Sequence, residues 1–470
     1  MFDEIIREMF FCLGEVDSVK ERESLASRLG FILVSAGCAI GLGNVWRFPF
    51  ITGRYGGAAF VIIYLLFLVI LGLPVMVAEF AMGRASRRNL AGAMRVLEPK
   101  GSKWHIYGYI GVLGNLILMM FYTVVSGWFF AYLLRFLTGR MEGLSPEEVG
   151  AAFGGFLGNT PELLLWTILV IVLGYGVCAM GLRSGVERAV KFMMSGLFIL
   201  MILLAVRAIT LPGAEEGLAF YLKPDFSKLT WESVYAAMSQ AFFTLSLGIG
   251  SMLIFGSYIG KERSLAGESV YVFLLDTAVA LLAGFIIFPA CFAFGVDPGA
   301  GPGLIFVSLP NIFNEMAAGR FWGSLFFLFM VFATMTTVIA VFEHLVAFCM
   351  DEWNWGRKKA SVVLGIITFV AAIPCALGFG PWSGFAPFGP GTVVLDLEDF
   401  IVSFNLLPIG SLLFIIFCTT RYGWGWDNFI KEANTGEGLK FPVWLRPYMT
   451  YVLPILVLAL LILGYIDFFS

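Results

Sequence analysis

The chain has 470 residues, of which 59% are hydrophobic and only 13% charged. A soluble globular chain carries nearer a quarter charged residues, so this composition excludes a soluble enzyme or binding module and describes a polytopic membrane protein. The formal net charge of −3 at pH 7 decides little, because the placement of Lys and Arg matters more than their sum.

Residues 1–26 mix acids and bases around Met9 to Leu13 without a signal-peptide cleavage pattern, and read as a cytoplasmic tail. Apolar segments of about 20 residues or more follow at 28–51, 58–82, 106–137, 162–181, 186–209, 232–258, 268–294, 320–350, 359–379, 398–420 and 445–466. The expected fold class is all-α, with about 11 transmembrane helices. An odd number of spans puts the termini on opposite sides. Lys and Arg crowd the tail and alternate loops, with Arg84, Arg87, Arg88, Arg95, Lys100 and Lys103 in the first of these. The positive-inside rule then places the N-terminus in the cytoplasm and the C-terminus outside. The expected location is the cell (inner) membrane.

Two external segments are long. Residues 210–231 carry acids, lysines and Pro224, and suit an ordered loop. Residues 295–319 hold the short apolar runs Leu304 to Leu309 and Asn311 to Met316, which suit a lid dipping back into the bundle. The seven cysteines, at 12, 38, 178, 291, 349, 375 and 418, show no metal-ligand spacing and read as small buried hydrophobes. His105 and His344, the only histidines, are too few and too separated for a metal site.

The first span is flawed at its middle. Ala36 to Pro49 reads Ala-Gly-Cys-Ala-Ile-Gly-Leu-Gly-Asn-Val-Trp-Arg-Phe-Pro. Gly37, Gly41 and Gly43 make a poor helix interior, and Asn44 and Arg47 are costly at membrane depth. Such a span opens into two half-helices, and bare backbone is tolerated there only inside protein or along a cavity. The alternative is a kinked helix whose glycines serve close packing. A second flaw, Gln240 to Gly250 (Gln-Ala-Phe-Phe-Thr-Leu-Ser-Leu-Gly-Ile-Gly), falls in the sixth span. Interrupted helices at matching places in two sets of five spans point to a 5+5 inverted-repeat transporter with a central site. The domain plan is then the tail 1–26, a first five-helix repeat 27–210, a second, inverted repeat 211–420, and a loop with the eleventh helix 421–470.

Unwound backbone supplies both signs of partial charge. Half-helix N-termini offer N–H groups to a carboxylate, and freed carbonyls suit a hard cation. An amino-acid zwitterion with an alkali cation satisfies both. Asn44, Thr244, Ser246, Asp276, Thr336 and Thr337 add side-chain oxygens nearby. Any one of these hydroxyls is as well explained by a back-bond to its own helix; the set, spread over spans one, six, seven and eight, is not.

These residues carry a family resemblance. Arg28-Leu-Gly, Gly41-Leu-Gly-Asn-Val-Trp-Arg-Phe-Pro, Gly56-Gly-Ala-Ala-Phe, Pro74 to Gly83 and Phe242-Phe-Thr-Leu-Ser-Leu-Gly resemble the neurotransmitter:sodium symporter family over residues 22–420. The likeness is greatest to its bacterial amino-acid members with the LeuT fold, in which helices 1 and 6 are unwound. It implies two sodium ions. The first would be held by the Ala39 carbonyl, Asn44, Thr244, Asp276 and the substrate carboxylate. The second would be held by the Gly37, Ile40 and Ala333 carbonyls with Thr336 and Thr337. The substrate carboxylate would meet the Leu42 and Gly43 N–H groups and the Tyr122 hydroxyl. Its amine would meet the carbonyls of Ala39, Phe243 and Thr244 and the Ser246 hydroxyl. Leu118, Phe243, Ile249, Thr337 and Val341 would wall the side-chain pocket. Gates would be Arg47 with Asp399 outside, and Arg22 with Asp351 inside.

The chain also departs from its relatives. Gly41 replaces the aspartate of monoamine transporters, so the substrate should bring its own carboxylate. Leu25 stands where relatives often have a tryptophan that plugs the inner path. Glu343 and His344 are unusual neighbours in span eight, read either as a polar pair near the inner vestibule, bonded to Tyr258, or as part of transport. Asp276 stands where relatives have a sodium-ligating asparagine. Ala280, one turn on and on the same face, replaces the serine of chloride-dependent relatives and the glutamate of some bacterial ones. A carboxylate at Asp276 neutralises sodium directly, so chloride should be dispensable.

The expected function is import of a neutral, hydrophobic L-amino acid, aliphatic or aromatic, coupled to sodium, by alternating access and without covalent chemistry. Expected partners are that substrate, sodium and the lipid bilayer, with no nucleic acid and no obligatory protein partner evident. A ligand-gated channel would need a ring of charge or a filter motif, which is lacking. A non-transporting sensor of the same fold is the alternative.

Overall fold

A computed structural model describes residues 23–299 and 303–469, which form helices and loops without a β-strand. The chain enters its first helix at Ser27, whose hydroxyl accepts the Gly30 N–H. Helices α1 (Arg28–Ala39) and α2 (Gly43–Arg54) then meet at 57°. There follow α3 (Ala58–Ser86), α4 (His105–Leu137), α5 (Thr160–Ala179), α6 (Leu182–Ile209), α7 (Trp231–Thr244) and α8 (Ser251–Gly256). The remainder are α9 (Leu265–Ala293), α10 (Gly319–Trp353), α11 (Arg357–Gly378), α12 (Val394–Thr419) and α13 (Val443–Ile466).

Among the described residues nine helices are long and apolar enough to cross a membrane, or ten if the bent pair is one span. The sixth expected span does not qualify as a helix because it is split. Its halves have 14 and 6 residues, with 245–250 unwound between them.

The bundle is organised around α10, which packs on α1, α4, α5, α6, α8 and α11. In its most apolar stretch 83% is buried, against 28% in α13. The first is an axle inside protein, and the second presents itself to lipid. The expected lid is a π-helical turn, Leu304–Ser308, followed by a short helix, Leu309–Glu315. Phe306 pins it, ringed by Trp46, Trp128, Phe129, Tyr132, Phe153 and Phe327 at centroid distances of 5.0 to 6.2 Å.

At the opposite end Arg84, buried at the end of α3, gathers remote segments. It donates from Nε to Glu432 Oε1 at 2.6 Å, from Nη1 to the Arg263 carbonyl at 2.6 Å, and from Nη2 to the carbonyls of Glu432 and Thr435. The loop after α8 is thereby tied to the segment before α13. Six cysteines, Cys38, Cys178, Cys291, Cys349, Cys375 and Cys418, are free and buried; Cys12 lies outside the described residues.

Candidate functional site

Helix α1 ends because Ile40 turns extended (φ −69°, ψ 105°) and three glycines resist helix propagation. The next turn is rebuilt by Asn44, whose Oδ1 accepts the Gly41 N–H at 3.1 Å. The Asn44 amide reaches α9, donating to Asp276 Oδ1 at 2.8 Å and to its carbonyl at 3.1 Å. From α7, Thr244 donates to Asp276 Oδ2 at 3.4 Å. All three side chains are fully buried. Among the described residues no Lys, Arg or His is in ion-pair contact with Asp276. A buried acid without a basic neighbour is costly, and a cation delivered from solution removes that cost. Asn44, Thr244 and Asp276, three of the four residues expected at the first sodium site, therefore converge, with Ala39 buried just before the break.

The second expected set also converges, between α1 and α10. Thr337 donates to the Ile40 carbonyl at 3.0 Å and the Gly37 carbonyl at 3.4 Å. Thr336 back-bonds to the Ala333 carbonyl at 2.9 Å, the habit of a helical threonine. It still faces the break, because a Cβ on Gly37 would stand 3.2 Å from Thr336 Cβ. Five neutral oxygens are thus gathered, a set suited to a singly charged hard ion.

The residues expected at the substrate site surround the same break. The Leu42 N–H donates to the Tyr122 hydroxyl at 3.3 Å. Gly43 lies against the Phe243 ring, 3.0 Å from where its Cβ would be. Ser246, left-handed at φ 51°, turns its hydroxyl toward the Cys38 carbonyl at 3.5 Å. Leu118, Tyr122, Ile249, Thr337 and Val341 are buried, and Phe243 half-buried.

The residues that hold the second break are missing from the sequence reading. Glu79 accepts the Gly248 N–H at 2.7 Å and the Leu253 N–H at 3.3 Å. Tyr107 donates to the Gly248 carbonyl at 2.8 Å and Asn115 to the Ile249 carbonyl at 2.8 Å. Their signal was present: Glu79 and Asn115 are the polar interruptions of the second and third spans, and such groups need partners.

The gates are less complete. Arg47 donates to Ser239 at 3.3 Å and lies 4.4 Å over the Phe243 ring, while Asp399 accepts from Ser403. Arg47 and Asp399 are not in ion-pair contact, although Arg47 and Ser403 line one cleft. Of the pair expected at the inner gate, Arg22 lies outside the described residues, and Asp351 accepts the Asn89 N–H at 2.7 Å. Glu343 does bond to Tyr258, at 2.8 Å, and also to Arg357 at 2.6 Å. Leu25 is half-buried against the core.

Residues 22–144 and 157–470 match the Sodium:neurotransmitter symporter family. The chain is 35% identical over 457 residues to an uncharacterized sodium-dependent transporter of Haemophilus influenzae, covering 94% of this chain and 98% of that protein. It is 36% identical over 448 residues to the uncharacterized sodium-dependent transporter YhdH of Bacillus subtilis, with the same coverages. Among solved structures it is similar to MhsT in complex with L-phenylalanine, with a TM-score of 0.84 and 39% identity over 94% of this chain and 99% of that one. Fold and relatives together define a multi-pass, sodium-coupled symporter. The chain belongs to the sodium:neurotransmitter symporter family.

Proposed function

We propose that this protein imports a neutral, hydrophobic L-amino acid across the cell (inner) membrane with two sodium ions and without chloride. The observation that carries the reading is the buried Asn44–Asp276–Thr244 cluster beside the first break. It offers a negative charge to sodium, and α2 begins there, turning the positive end of a helix toward a carboxylate. Gly41 supports a substrate with its own carboxylate, because a Cβ there would come within 2.5 Å of the Tyr122 hydroxyl and 2.7 Å of Thr337 Oγ1. The wall of Leu118, Ile249 and Val341 offers no charge to a substrate side chain. The MhsT complex with L-phenylalanine supports the same substrate class.

Alternating access follows from two five-helix repeats, 27–210 and 211–420, inverted relative to one another, each opening with a broken span. The N-terminus is cytoplasmic and the C-terminus outside. A tenfold sodium gradient is worth about 1.4 kcal/mol per ion and 100 mV about 2.3 kcal/mol per charge, so two ions supply roughly 7 kcal/mol. That sustains about five decades of accumulation.

Proteoliposome uptake under an imposed sodium gradient tests the reading. Leucine, phenylalanine or tryptophan should accumulate, lysine and glutamate should not compete, and replacing chloride by gluconate should leave the rate unchanged. Equilibration without accumulation would indicate a channel, and binding without uptake a sensor.

A further inference from the structure

Six residues leave the helix at the second break, and Ile249 is the one among them that walls the proposed side-chain pocket. Its side chain is fully buried, and its carbonyl is held from outside the unwound segment. The anchor comes from α4. Asn115, also fully buried, donates from Nδ2 to the Ile249 carbonyl at 2.8 Å and to the Gly111 carbonyl of its own helix at 2.9 Å. Its Oδ1 accepts the Ser251 hydroxyl at 2.9 Å, where α8 begins. One amide thus bridges α4, the unwound strand and the resumed helix with both ends satisfied.

The neighbours make that bridge a spacer. A Cβ on Gly111 would lie 3.5 Å from the Ile249 carbonyl, and one on Gly114 would lie 3.3 Å from Ile249 Cγ2 and 2.8 Å from Leu406 Cδ1. Ile249 therefore rests directly against the glycine face of α4 and is held there by Asn115. Leu118 and Tyr122 follow at three and seven residues, on the same face of that helix. The distance between Ile249 and Leu118, across the pocket wall, is set on α4 itself.

We propose that Asn115 is a positioning residue that determines which substrate side chains are accepted, by fixing the depth of Ile249, with Gly114 as the surface against which Ile249 rests. This rests on the pocket assigned above. Freed from Asn115, Ile249 yields to a larger side chain; pushed by a methyl group at 114, it intrudes on one. A change of one methylene in an apolar pocket shifts discrimination by about tenfold or more.

The test measures kcat/KM for leucine, phenylalanine and tryptophan in proteoliposomes of the full-length protein, under one sodium gradient. Asn115→Ala should raise the tryptophan-to-leucine ratio by about tenfold, and Gly114→Ala should lower it. The sodium concentration for half-maximal uptake should stay where it is in both. If both variants slow all three substrates by a common factor, Asn115 is merely structural and the inference is overturned. Should Asn115→Ala fail to assemble, the direction of the Gly114→Ala ratio decides alone. Ile249→Ala separates the two levels. If it leaves the ratio unmoved, the pocket reading fails and takes the inference with it. If it moves the ratio while the α4 variants do not, the inference alone fails.

Discussion

The two breaks solve the same problem, bare backbone in a membrane interior, by different means. At the first, only residues 40–42 separate α1 from α2, and the partners are groups that a ligand can replace. Thr337 and Tyr122 hydroxyls serve the Ile40 carbonyl and the Leu42 N–H. At the second, six residues are unwound, and Glu79, Tyr107 and Asn115 hold them from α3 and α4. Even the glycines differ in use. Gly41 keeps room for hydroxyls, whereas Gly248 (φ 102°) lets two backbones touch, 2.0 Å separating its would-be Cβ from the Leu407 carbonyl. The first break is furnished for exchange of partners, the second for permanence. Asp276 joins them by bonding Asn44 on one side and Thr244 on the other.

This contrast can be broken at four places. Gly41→Ala puts a methyl between Tyr122 and Thr337, and should lower substrate affinity on the order of 100-fold, measured by scintillation proximity binding. Normal affinity in that variant would mean that the first break has slack to spare. Asp276→Asn removes the charge between the breaks. The sodium concentration for half-maximal binding should rise roughly 10- to 100-fold, and an unchanged sodium titration would remove Asp276 from the ion's coordination. Glu79→Gln should act on the fold instead of the ligands. Glutamine keeps one acceptor oxygen but sets an NH2 donor against the other backbone N–H, which should cost about 2–3 kcal/mol of stability, read as a lower melting temperature in detergent, with sodium and substrate affinities within about threefold of wild type. The smallest effect belongs to the gate. Arg47 and Asp399 are not in contact here, so Asp399→Ala should leave equilibrium binding alone and slow uptake by about threefold. Equal losses in both measurements would place Asp399 in the site.

The sequence could announce both breaks because their glycines and polar residues violate the rules of an apolar span at known positions. Asn44 and Thr244 meet at Asp276, and Thr337 meets the Gly37 and Ile40 carbonyls, residues that their own polarity in apolar spans singles out. Its limits show at Asn115 and Arg47. Which carbonyl Asn115 serves depends on how α4 lies against an unwound strand 134 residues away, and no local pattern encodes that. Arg47 has an acid partner on paper, but the side chains answer to nearer groups, Ser239 and Phe243 for one and Ser403 for the other. The split sixth span was visible as composition, yet the length of its unwound stretch follows from Glu79, which is itself remote in sequence.

Arg84 has a bearing on biogenesis. Its strongest side-chain acceptor, Glu432, is synthesised 348 residues later. At about 5–20 residues per second the ribosome needs roughly 20–70 s to cover that distance. Throughout that interval a guanidinium at the end of α3 must be solvated by water and lipid headgroups at the membrane surface. The nascent protein can insert its early helices, but it cannot seal that end of them until the segment before the last helix arrives. A chain that ends between α12 and Glu432 would leave Arg84 unmatched, a ready mark for membrane quality control.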